Sequence, residues 1–393
     1  MSSGGFHKID YSSEISPLLG IGVLGYGFMG KIHSNAYSKM PFSFPSAAVQ
    51  PQLIAMGGRN EEQVRAAARQ FGYSGYYTEW EKMVEDSSID IFDNCTPDNL
   101  HAGPTIAAAE KGKHVICEKP LAMSSEDAKA MYRAAEKAGV KHMLCHNYRF
   151  IPAVRFARDL IREGRIGRIY NFRGSYLQEV GHDPEIPLED AWYAAGTKSG
   201  VLLGIGCHII DMARFLVGEI VSVSGIEKTF NTERKRRDGT LEKIEADEGN
   251  WALAEFENGA VGTLESSGIS TGRKNQHTWE INGAKGSIAF DLEDPNHLLV
   301  SFAGEDPRLE GFTAISVTDP KHPNRIPYLP PGHNAGWEYG HVHALRYFLD
   351  CVAENKPVEP LGATFLDGYR IQCIMEGIKK SSATGKKIEL EFK

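Results

Sequence analysis

The chain has 393 residues, a length that suits two domains better than a single hydrophobic core. Its apolar content of 41% and charged content of 24% are typical of soluble globular proteins. The formal net charge of −8 argues against nucleic acid or an anionic membrane surface as a partner, because neither attracts an acidic protein. One basic run, "ERKRRDG" at 233–239, is interpreted as a solvated loop or hairpin tip.

The cysteines are dispersed and lack C-x-x-C spacing. They are Cys95, Cys117, Cys145, Cys207, Cys351 and Cys373, and most lie in apolar segments. This pattern is typical of reduced, buried thiols and predicts neither a disulfide framework nor a zinc site, so we expect no metal. Residues 1–18 lack an apolar signal-peptide core, and there is no apolar run of 18 residues. We therefore expect a cytoplasmic protein.

Strand-like and helix-like segments alternate through about the first 148 residues. An apolar run ending at Leu24 predicts the first strand, and helical spacing from Phe28 to Met40 predicts the first helix. The segments that follow are a strand "QLIAMGG", a helix "NEEQVRAAARQFG", a strand "IDIFDNC", a helix "NLHAGPTIAAAEKG", a strand "HVICEK", a helix "SSEDAKAMYRAAEKAG" and a strand "KHMLCHNY". Ser124 or Ser125 is the expected N-cap of the last helix, and Gly139 its end. The alternation predicts an α/β fold with a parallel sheet covered on both faces.

The turn after the first strand reads "GYGFMG" (25–30), a G-x-G-x-x-G motif. It follows a strand and opens a helix, which is the context that dinucleotide binding requires. Gly25 is expected to make the tight turn, Gly27 to let the backbone approach a pyrophosphate, and Gly30 to permit close helix packing. Phe28 and Met29 lie at the helix N-terminus, where backbone N–H groups favour an anion. The motif predicts a bound dinucleotide.

The second strand ends in "IAMGGRN", so that Gly58 and Arg59 stand where an acid often holds the ribose 2′-hydroxyl of NAD. An arginine at this place permits the 2′-phosphate of NADP, and it can equally stack on adenine. The cofactor is therefore predicted to be NAD, with NADP as an open alternative.

Two further motifs, "NCTPDNLH" (94–101) and "CEKPLA" (117–122), follow neighbouring strands. Because ligands of an open parallel sheet lie across the carboxyl ends of its strands, these motifs should face one crevice. Lys119 is placed there to orient a substrate hydroxyl and to stabilise a developing alkoxide. The residues expected in this crevice are Thr96, Pro97, His101, Glu118, Lys119 and Pro120.

These motifs resemble those of the Gfo/Idh/MocA oxidoreductases, the family of glucose-fructose oxidoreductase and inositol dehydrogenase. The resemblance also includes "NYRFIPA" (147–153), "GIGCHIID" (204–211), "WEINGAKGSIAFD" (279–291) and the segment from 359 to 390, so it covers nearly the whole chain. Within the family, "GFMGKIHSNAY" is most similar to the levoglucosan dehydrogenase branch. The motifs are specific for the family and not for the substrate.

The resemblance implies a Rossmann domain, here residues 1–148, and a second α/β domain, residues 149–393, with a large, mostly antiparallel open sheet. The hydrophobic pattern changes accordingly: from about residue 165, strand-like stretches with period-2 alternation dominate. Family substrates are sugars, polyols and their derivatives. Members are commonly dimeric or tetrameric, and we expect a homodimer or homotetramer formed through the second sheet.

The run "GVLLGIGCHIID" (200–211) places His208 and Asp211 in apolar surroundings. Family members usually read D-x-G-x-H-x-x-D here, and the resemblance implies that the histidine is the acid/base and that the lysine of E-K-P completes the site. His208 and Asp211 match, but Gly204 replaces the first acid. Helical spacing ending at Gly218 puts His208 in or just before a first helical turn, where the helix N-terminus would keep the ring neutral. Lys119 and His208 are therefore the predicted catalytic pair.

Several residues are candidates for the missing acid and for substrate contacts. A replacement for the missing acid is sought among Glu179, Asp183, Asp190 and Glu338, or Tyr176 or Tyr193 donates the proton instead. Trp192 and Tyr193 are candidates for a wall on which a sugar stacks, although core packing explains either aromatic equally well. Basic residues in the second domain are compatible with an anionic or large glycoside substrate; they are Arg149, Arg273, Lys274, His341 and His343. The predicted substrate contacts are Lys119, Arg149, Tyr176, Trp192, Tyr193 and His208.

Three functions are compatible with these patterns. The first is an NAD(P)-dependent dehydrogenase that oxidises a ring hydroxyl of a sugar, anhydrosugar or polyol. The second, prompted by the altered acid position, is a glycosidase that oxidises the sugar transiently, eliminates the aglycone and reduces the ring again. The third is a non-catalytic dinucleotide sensor, and the presence of both Lys119 and His208 argues against it.

Overall fold

The computed structural model describes residues 16–191, 199–304, 306, 308 and 310–392. Its first sheet is parallel and contains β1 (Leu18–Leu24), β2 (Gln50–Gly57), β3 (Gly75–Tyr77), β4 (Ile91–Asn94), β5 (His114–Cys117) and β6 (His142–Leu144). The helices between them are α1 (Phe28–Ser43), α2 (Glu61–Phe71), α3 (Trp80–Met83), α4 (Ala102–Glu110) and α5 (Ser125–Ala138). The spatial order β3-β2-β1-β4-β5-β6 places the change of direction between β1 and β4. This confirms the predicted Rossmann fold and directs a ligand to that crevice.

The helix ends of this domain follow local side-chain chemistry. Ser124 is the N-cap of α5, where its side chain accepts a hydrogen bond from the backbone N–H of Asp127. Gly139 ends that helix in the left-handed region with φ 67°, and Gly72 ends α2 in the same way. These bounds confirm the predicted starts and stops.

The second sheet has nine strands in the order β16-β15-β14-β13-β7-β12-β11-β8-β17. Its strands, together with the small hairpin β9–β10, are β7 (Ile169–Leu177), β8 (Ile220–Lys228), β9 (Glu233–Lys235), β10 (Leu241–Lys243), β11 (Gly249–Phe256), β12 (Val261–Ser267), β13 (Gln276–Gly283), β14 (Gly286–Asp291), β15 (His297–Phe302), β16 (Thr313–Ser316) and β17 (Ile388–Glu389). Apart from the parallel pair β12 and β7, neighbouring strands are antiparallel. The large, mostly antiparallel sheet expected from the family resemblance is therefore present.

The α-helices in the described part of the second half are α6 (Pro152–Arg162), α7 (Cys207–Leu216), α8 (Tyr339–Ala353) and α9 (Phe365–Thr384). Helices α6, α7 and α9 contact the sheet, whereas α8 packs against α1 and adds Leu345 and Phe348 to the core of the Rossmann domain. The last third of the chain thus returns to the first sheet. The predicted boundary at residue 148 falls within the short 3₁₀ helix Asn147–Phe150.

The basic run at 233–239 forms the hairpin that the sequence predicts, but one of its arginines is not solvated. Arg234 is fully buried, and its guanidinium donates to the carbonyl oxygens of Gly181 and Asp183. The hairpin therefore anchors the loop that follows β7.

All six cysteines are free thiols, and five of them are buried, in agreement with the prediction of reduced thiols. Within the described ranges, no helix is both long enough and apolar enough to cross a membrane.

Candidate active site

The glycine-rich turn connects β1 to α1 in a backbone conformation that explains two of its three glycines. Gly25 has φ 106°, and a Cβ there would lie 2.5 Å from the carbonyl oxygen of Cys95. A Cβ on Gly30 would lie 1.9 Å from the carbonyl oxygen of Gly25, so this glycine lets the helix pack against the turn. Around Gly27 a Cβ would meet open space, on the side where a pyrophosphate is expected.

A groove of about 1140 Å³ runs along this turn and the ends of β2 and β4. The predicted cofactor residues that line it are Gly25, Gly27, Phe28, Met29, Arg59, Thr96 and Pro97. A Cβ on Gly58 would collide with the ring of Tyr26, so the end of β2 has no room for an acid at that position. Exposed glycine backbone at a helix N-terminus and the size of the groove both fit a dinucleotide.

The other predicted cofactor residues lie behind the groove. His101 is buried, and its ring nitrogens contact the carbonyl oxygens of Pro120 at 2.8 Å and Thr96 at 2.9 Å. Glu118 and Pro120 are also buried. The structure therefore gives His101 a bracing role between the two motifs instead of the predicted direct contact with a cofactor.

The two predicted catalytic residues come together where the domains meet. Lys119, which is half-buried, donates a hydrogen bond from Nζ to the carbonyl oxygen of Gly204 at 2.8 Å. His208 is 5% exposed. Burial lowers the pKa of His208 well below its ordinary value, and the positive charge of Lys119 lowers it further. The ring is therefore neutral near pH 7, as a general base must be.

The helix around His208 differs from the prediction. A π-helical turn, Leu202–Gly206, leads directly into α7. The backbone at Val201, Gly206 and Cys207, where the turn begins and where it joins α7, is in the right-handed helical region. His208 thus lies inside a continuous helical stretch and not at a helix N-terminus. The expectation that the helix dipole keeps the ring neutral is wrong, and burial beside Lys119 does so instead. Such π turns are frequent at functional sites.

Aromatic rings surround His208. Its ring stacks on Tyr148 with centroids 4.5 Å apart, and the rings of His146 and Tyr176 lie at 5.3 and 5.7 Å. The hydroxyl groups of Tyr148 and Tyr176 are 2.8 Å apart, and Tyr176 donates to Oδ1 of Asn275 at 2.7 Å. The predicted substrate residue Tyr176 is therefore close to the base, and its hydroxyl belongs to a fixed chain of hydrogen bonds.

Sequence reasoning missed Tyr148 and Trp337. Tyr148 follows β6, beside the E-K-P motif, and the rule that ligands lie at strand carboxyl ends would have indicated it. Trp337 donates from Nε1 to the Tyr148 hydroxyl at 3.1 Å, and its ring stacks on Phe28 of the glycine-rich turn at 6.1 Å. No local pattern marks Trp337, because its contacts come from segments nearly 190 and over 300 residues away.

Arg149 does not have the role that was predicted for it. It is buried and makes three hydrogen bonds to the carboxylate of Asp211, one of them from Nη2 at 2.6 Å. A second carboxylate, that of Asp367, lies 3.7 Å from Nη2. Arg149 thus anchors α7, and Asp211 is engaged by Arg149 and is not the hydrogen-bond partner of His208.

The four acids considered as replacements at position 204 are all engaged elsewhere. Glu179 pairs with Lys274, and Glu338 pairs with Lys39. Asp183 accepts a hydrogen bond from the backbone of its own turn, and Asp190 pairs with Arg237. The contact that Lys119 does make in this region is to the Gly204 carbonyl, so backbone supplies an acceptor where the family places an acid.

The basic residues that hinted at an anionic substrate are dispersed. Lys274 is exposed and paired, and His343 is buried against Phe44, in the interface between α8 and α1. His341 lies near the site, with its ring 4.7 Å from that of Trp337 and 5.6 Å from that of His33. Trp192 and Tyr193 lie outside the described residues.

Comparisons with known proteins agree with this geometry. Residues 19–146 match the model of the oxidoreductase family with an NAD-binding Rossmann fold, and residues 154–289 match the GFO/IDH/MocA C-terminal domain. The levoglucosan dehydrogenase of Pseudarthrobacter phenanthrenivorans is 38% identical over 93% of this chain and 96% of its own length. The scyllo-inositol 2-dehydrogenase (NAD(+)) of Bacillus subtilis is 29% identical over 85% of this chain and 86% of its own length.

Solved structures show the same relationship. The structure of levoglucosan dehydrogenase in complex with NADH and levoglucosan has a TM-score of 0.90 and 38% identity, and the match covers 95% of this chain and 99% of that one. The chain belongs to the GFO/IDH/MocA family and is an NAD-dependent oxidoreductase of the sugar and polyol dehydrogenase type.

Proposed function

We propose that this protein oxidises one ring hydroxyl of levoglucosan or a closely similar anhydrosugar, with NAD as oxidant. The observation that carries the proposal is that Lys119 lies near the neutral ring of His208, which stacks on the ring of Tyr148. A relative of 38% identity over almost the whole chain is a levoglucosan dehydrogenase, which supports this substrate class.

His208 takes the proton of the hydroxyl. Its ring is neutral, and its pKa is lowered mainly by burial, so it is free to accept a proton near neutral pH. The imidazolium that results lies over the face of Tyr148, 4.5 Å between centroids, where the π electrons of the ring stabilise a cation. The site thus compensates in part for the cost of a buried positive charge.

Lys119 acts on the same oxygen. Its ammonium has three donors, of which one is used by the Gly204 carbonyl, so two remain to orient the hydroxyl and to stabilise the alkoxide that develops. Bound NAD supplies the acceptor for the hydride that leaves the ring carbon.

The aromatic rings of Phe28, Trp337 and Tyr148 favour an uncharged substrate with an apolar face. Trp337 links Phe28, at the cofactor groove, to Tyr148, beside His208. The C–H face of a rigid sugar ring packs well on such a surface, while the hydroxyl groups turn to Lys119 and to the tyrosine hydroxyls. A bicyclic anhydrosugar combines both features.

Substitution of either catalytic residue tests this assignment. We expect Lys119→Met and His208→Asn to lower kcat with NAD and levoglucosan by about 10² to 10⁴, because each removes a group that acts on the proton or the oxygen. Binding of NADH, followed by its fluorescence, should change little. The matched control is Lys111→Met, which changes an exposed lysine at the C-terminal end of α4 that pairs with Glu85. Wild-type turnover in either active-site variant contradicts the assignment.

The pH dependence tests the state of His208 separately. Because burial and Lys119 lower the pKa of His208, its neutral, active form persists below the ordinary histidine pKa of about 6.5. Initial rates of NAD reduction should therefore give a kcat/KM that is level at pH 6.5 and is lost only as the pH falls further. A half-loss of kcat/KM at or above pH 6.5 contradicts a depressed pKa.

The open face of the nine-stranded sheet supports self-association. Exposed apolar side chains stand in neighbouring rows on β8, β11 and β12, namely Ile226, Trp251, Leu253 and Val261. Ile226, Trp251 and Leu253 border a groove of about 960 Å³ along this face of the sheet. Contiguous apolar surface of this kind is typical of an interface, and we infer a homodimer or homotetramer formed through this face.

Light scattering after gel filtration tests the interface. The wild-type protein should have a mass that is two or four times 43.3 kDa. Leu253→Glu should reduce the mass towards the monomer, because it places a charge in the centre of the apolar rows. Phe42→Glu, a change of an exposed apolar residue on α1, should leave the mass unchanged. A monomeric wild type, or an oligomer that survives Leu253→Glu, contradicts the inferred interface.

The free thiols support a cytoplasmic location for the protein. Free cysteines, five of them buried, persist in a reducing environment, so we infer that the protein works in the cytoplasm. The acidic net charge makes nucleic acid an unfavourable partner.

A further inference from the structure

A charged cluster is buried behind the cofactor groove, apart from the residues that act on substrate. His33 on α1 lies between Asp93 of β4 and Glu118, the residue after β5. Its Nδ1 is 2.8 Å from Oδ2 of Asp93, and its Nε2 is 2.9 Å from Oε1 of Glu118. His33 and Asp93 are fully buried, and Glu118 is 4% exposed. Buried charges of this kind are costly unless they serve a purpose or compensate one another.

The two hydrogen bonds identify the charge state of the ring. Ionised carboxylates only accept, so between an ionised Asp93 and an ionised Glu118 the ring donates from both nitrogens and is an imidazolium. In agreement, although burial lowers the pKa of His33, the charge of Asp93 and its hydrogen bond to the ring raise that pKa well above its ordinary value. The other titratable groups near this cluster include Tyr37 on α1, Tyr73 after α2, Cys95 after β4, Cys117 at the end of β5, Cys145 after β6 and His341 on α8.

Glu118 is tied to the imidazolium on one side and to Lys119 on the other. Its Oε2 accepts the backbone N–H of Lys119 at 3.2 Å, while its own backbone N–H donates to the carbonyl of Asn94 at 2.9 Å. Burial raises the pKa of Glu118, but the hydrogen bond and charge of His33 outweigh burial and lower that pKa to about 2. Glu118 is therefore a carboxylate throughout the working range of pH.

A continuous chain of contacts thus runs from His33 through Glu118 to the backbone of Lys119 and from its Nζ to Gly204. We propose that His33 is a positioning residue of the dehydrogenase: by holding Glu118 between its ring and the Lys119 backbone, it fixes the ammonium group against the substrate oxygen. The proposal rests on the role proposed above for Lys119. It assigns to α1 a second task besides that of presenting the glycine-rich turn.

Removal of the imidazolium has a specific consequence. In His33→Gln, Asp93 and Glu118 remain as two buried carboxylates without a cation between them, and like charges in a buried site raise one another's pKa. We expect kcat with NAD and levoglucosan to fall about tenfold to a hundredfold, with KM little changed, since small displacements of a catalytic group cost rates of this order. The acid limb of the pH profile should move to higher pH, because Glu118 now gains a proton more easily.

A charge-matched double variant separates this role from mere packing. His33→Gln with Asp93→Asn restores the net charge of the cluster to −1, that of one cation with two carboxylates, and should move the acid limb back toward the wild-type position. His343→Gln is the matched control, because His343 is likewise buried but packs on Phe44 away from this cluster. It should keep the wild-type kcat and pH profile.

Nitrogen-15 NMR of histidine-labelled wild-type protein tests the charge without any variant and without turnover. At about pH 9 an ordinary histidine is neutral, so a persisting imidazolium signal among the 14 histidines identifies the His33 cation. Absence of such a signal overturns the proposal, as does an unchanged kcat and pH profile in His33→Gln or a double variant that does not move the acid limb back. If Lys119→Met retains activity while the imidazolium is present, the role of Lys119 fails and the charge assignment of His33 stands.

Discussion

The hydrogen bond from the Lys119 ammonium to the Gly204 carbonyl connects the two halves of the active site. Lys119 follows a strand of the Rossmann sheet, and Gly204 lies 85 residues later in a π-helical turn packed on the second sheet. The contact joins the edge of the cofactor groove to the helix that carries His208.

Control of buried charge gives the site its chemistry. The buried cations behind it are each paired, His33 with Asp93 and Glu118, Arg149 with Asp211. Burial keeps the rings of His146 and His208 neutral, with the pKa of His146 lowered to about 4. The cation that faces the reacting oxygen is then Lys119. One positive charge next to a neutral base suits the removal of a proton from an uncharged polyol, since it stabilises the alkoxide without protonating the base.

Local sequence rules predicted what depends on local geometry. The turn at Gly25 and Gly30 has the conformation and close contacts that the motif requires, and the caps at Ser124 and Gly139 are where side-chain chemistry puts them. The alternation of elements predicted the parallel sheet with helices on both faces. The choice of Lys119 and His208 as the catalytic pair came from the resemblance to the family, and it stays a prediction.

What sequence reasoning missed depends on contacts between distant segments. The helical spacing around His208 was read correctly, but nothing local shows that a π turn precedes it and removes the helix N-terminus. Arg149 looked available for substrate because its partner Asp211 is 62 residues away. Trp337 had no motif of its own, and although Tyr148 lies in the "NYRFIPA" motif, only the folded chain shows that both lie near His208.

Incubation with NAD and levoglucosan that carries deuterium on its ring carbons distinguishes direct hydride transfer from the alternatives, with the masses of sugar and cofactor followed together. We expect the reduced cofactor to gain one deuterium and the sugar to lose one deuterium and one hydroxyl proton, in equal amounts. Reduced cofactor without deuterium, or a sugar product formed without any net reduction of NAD, would contradict direct hydride transfer from a ring carbon at this site.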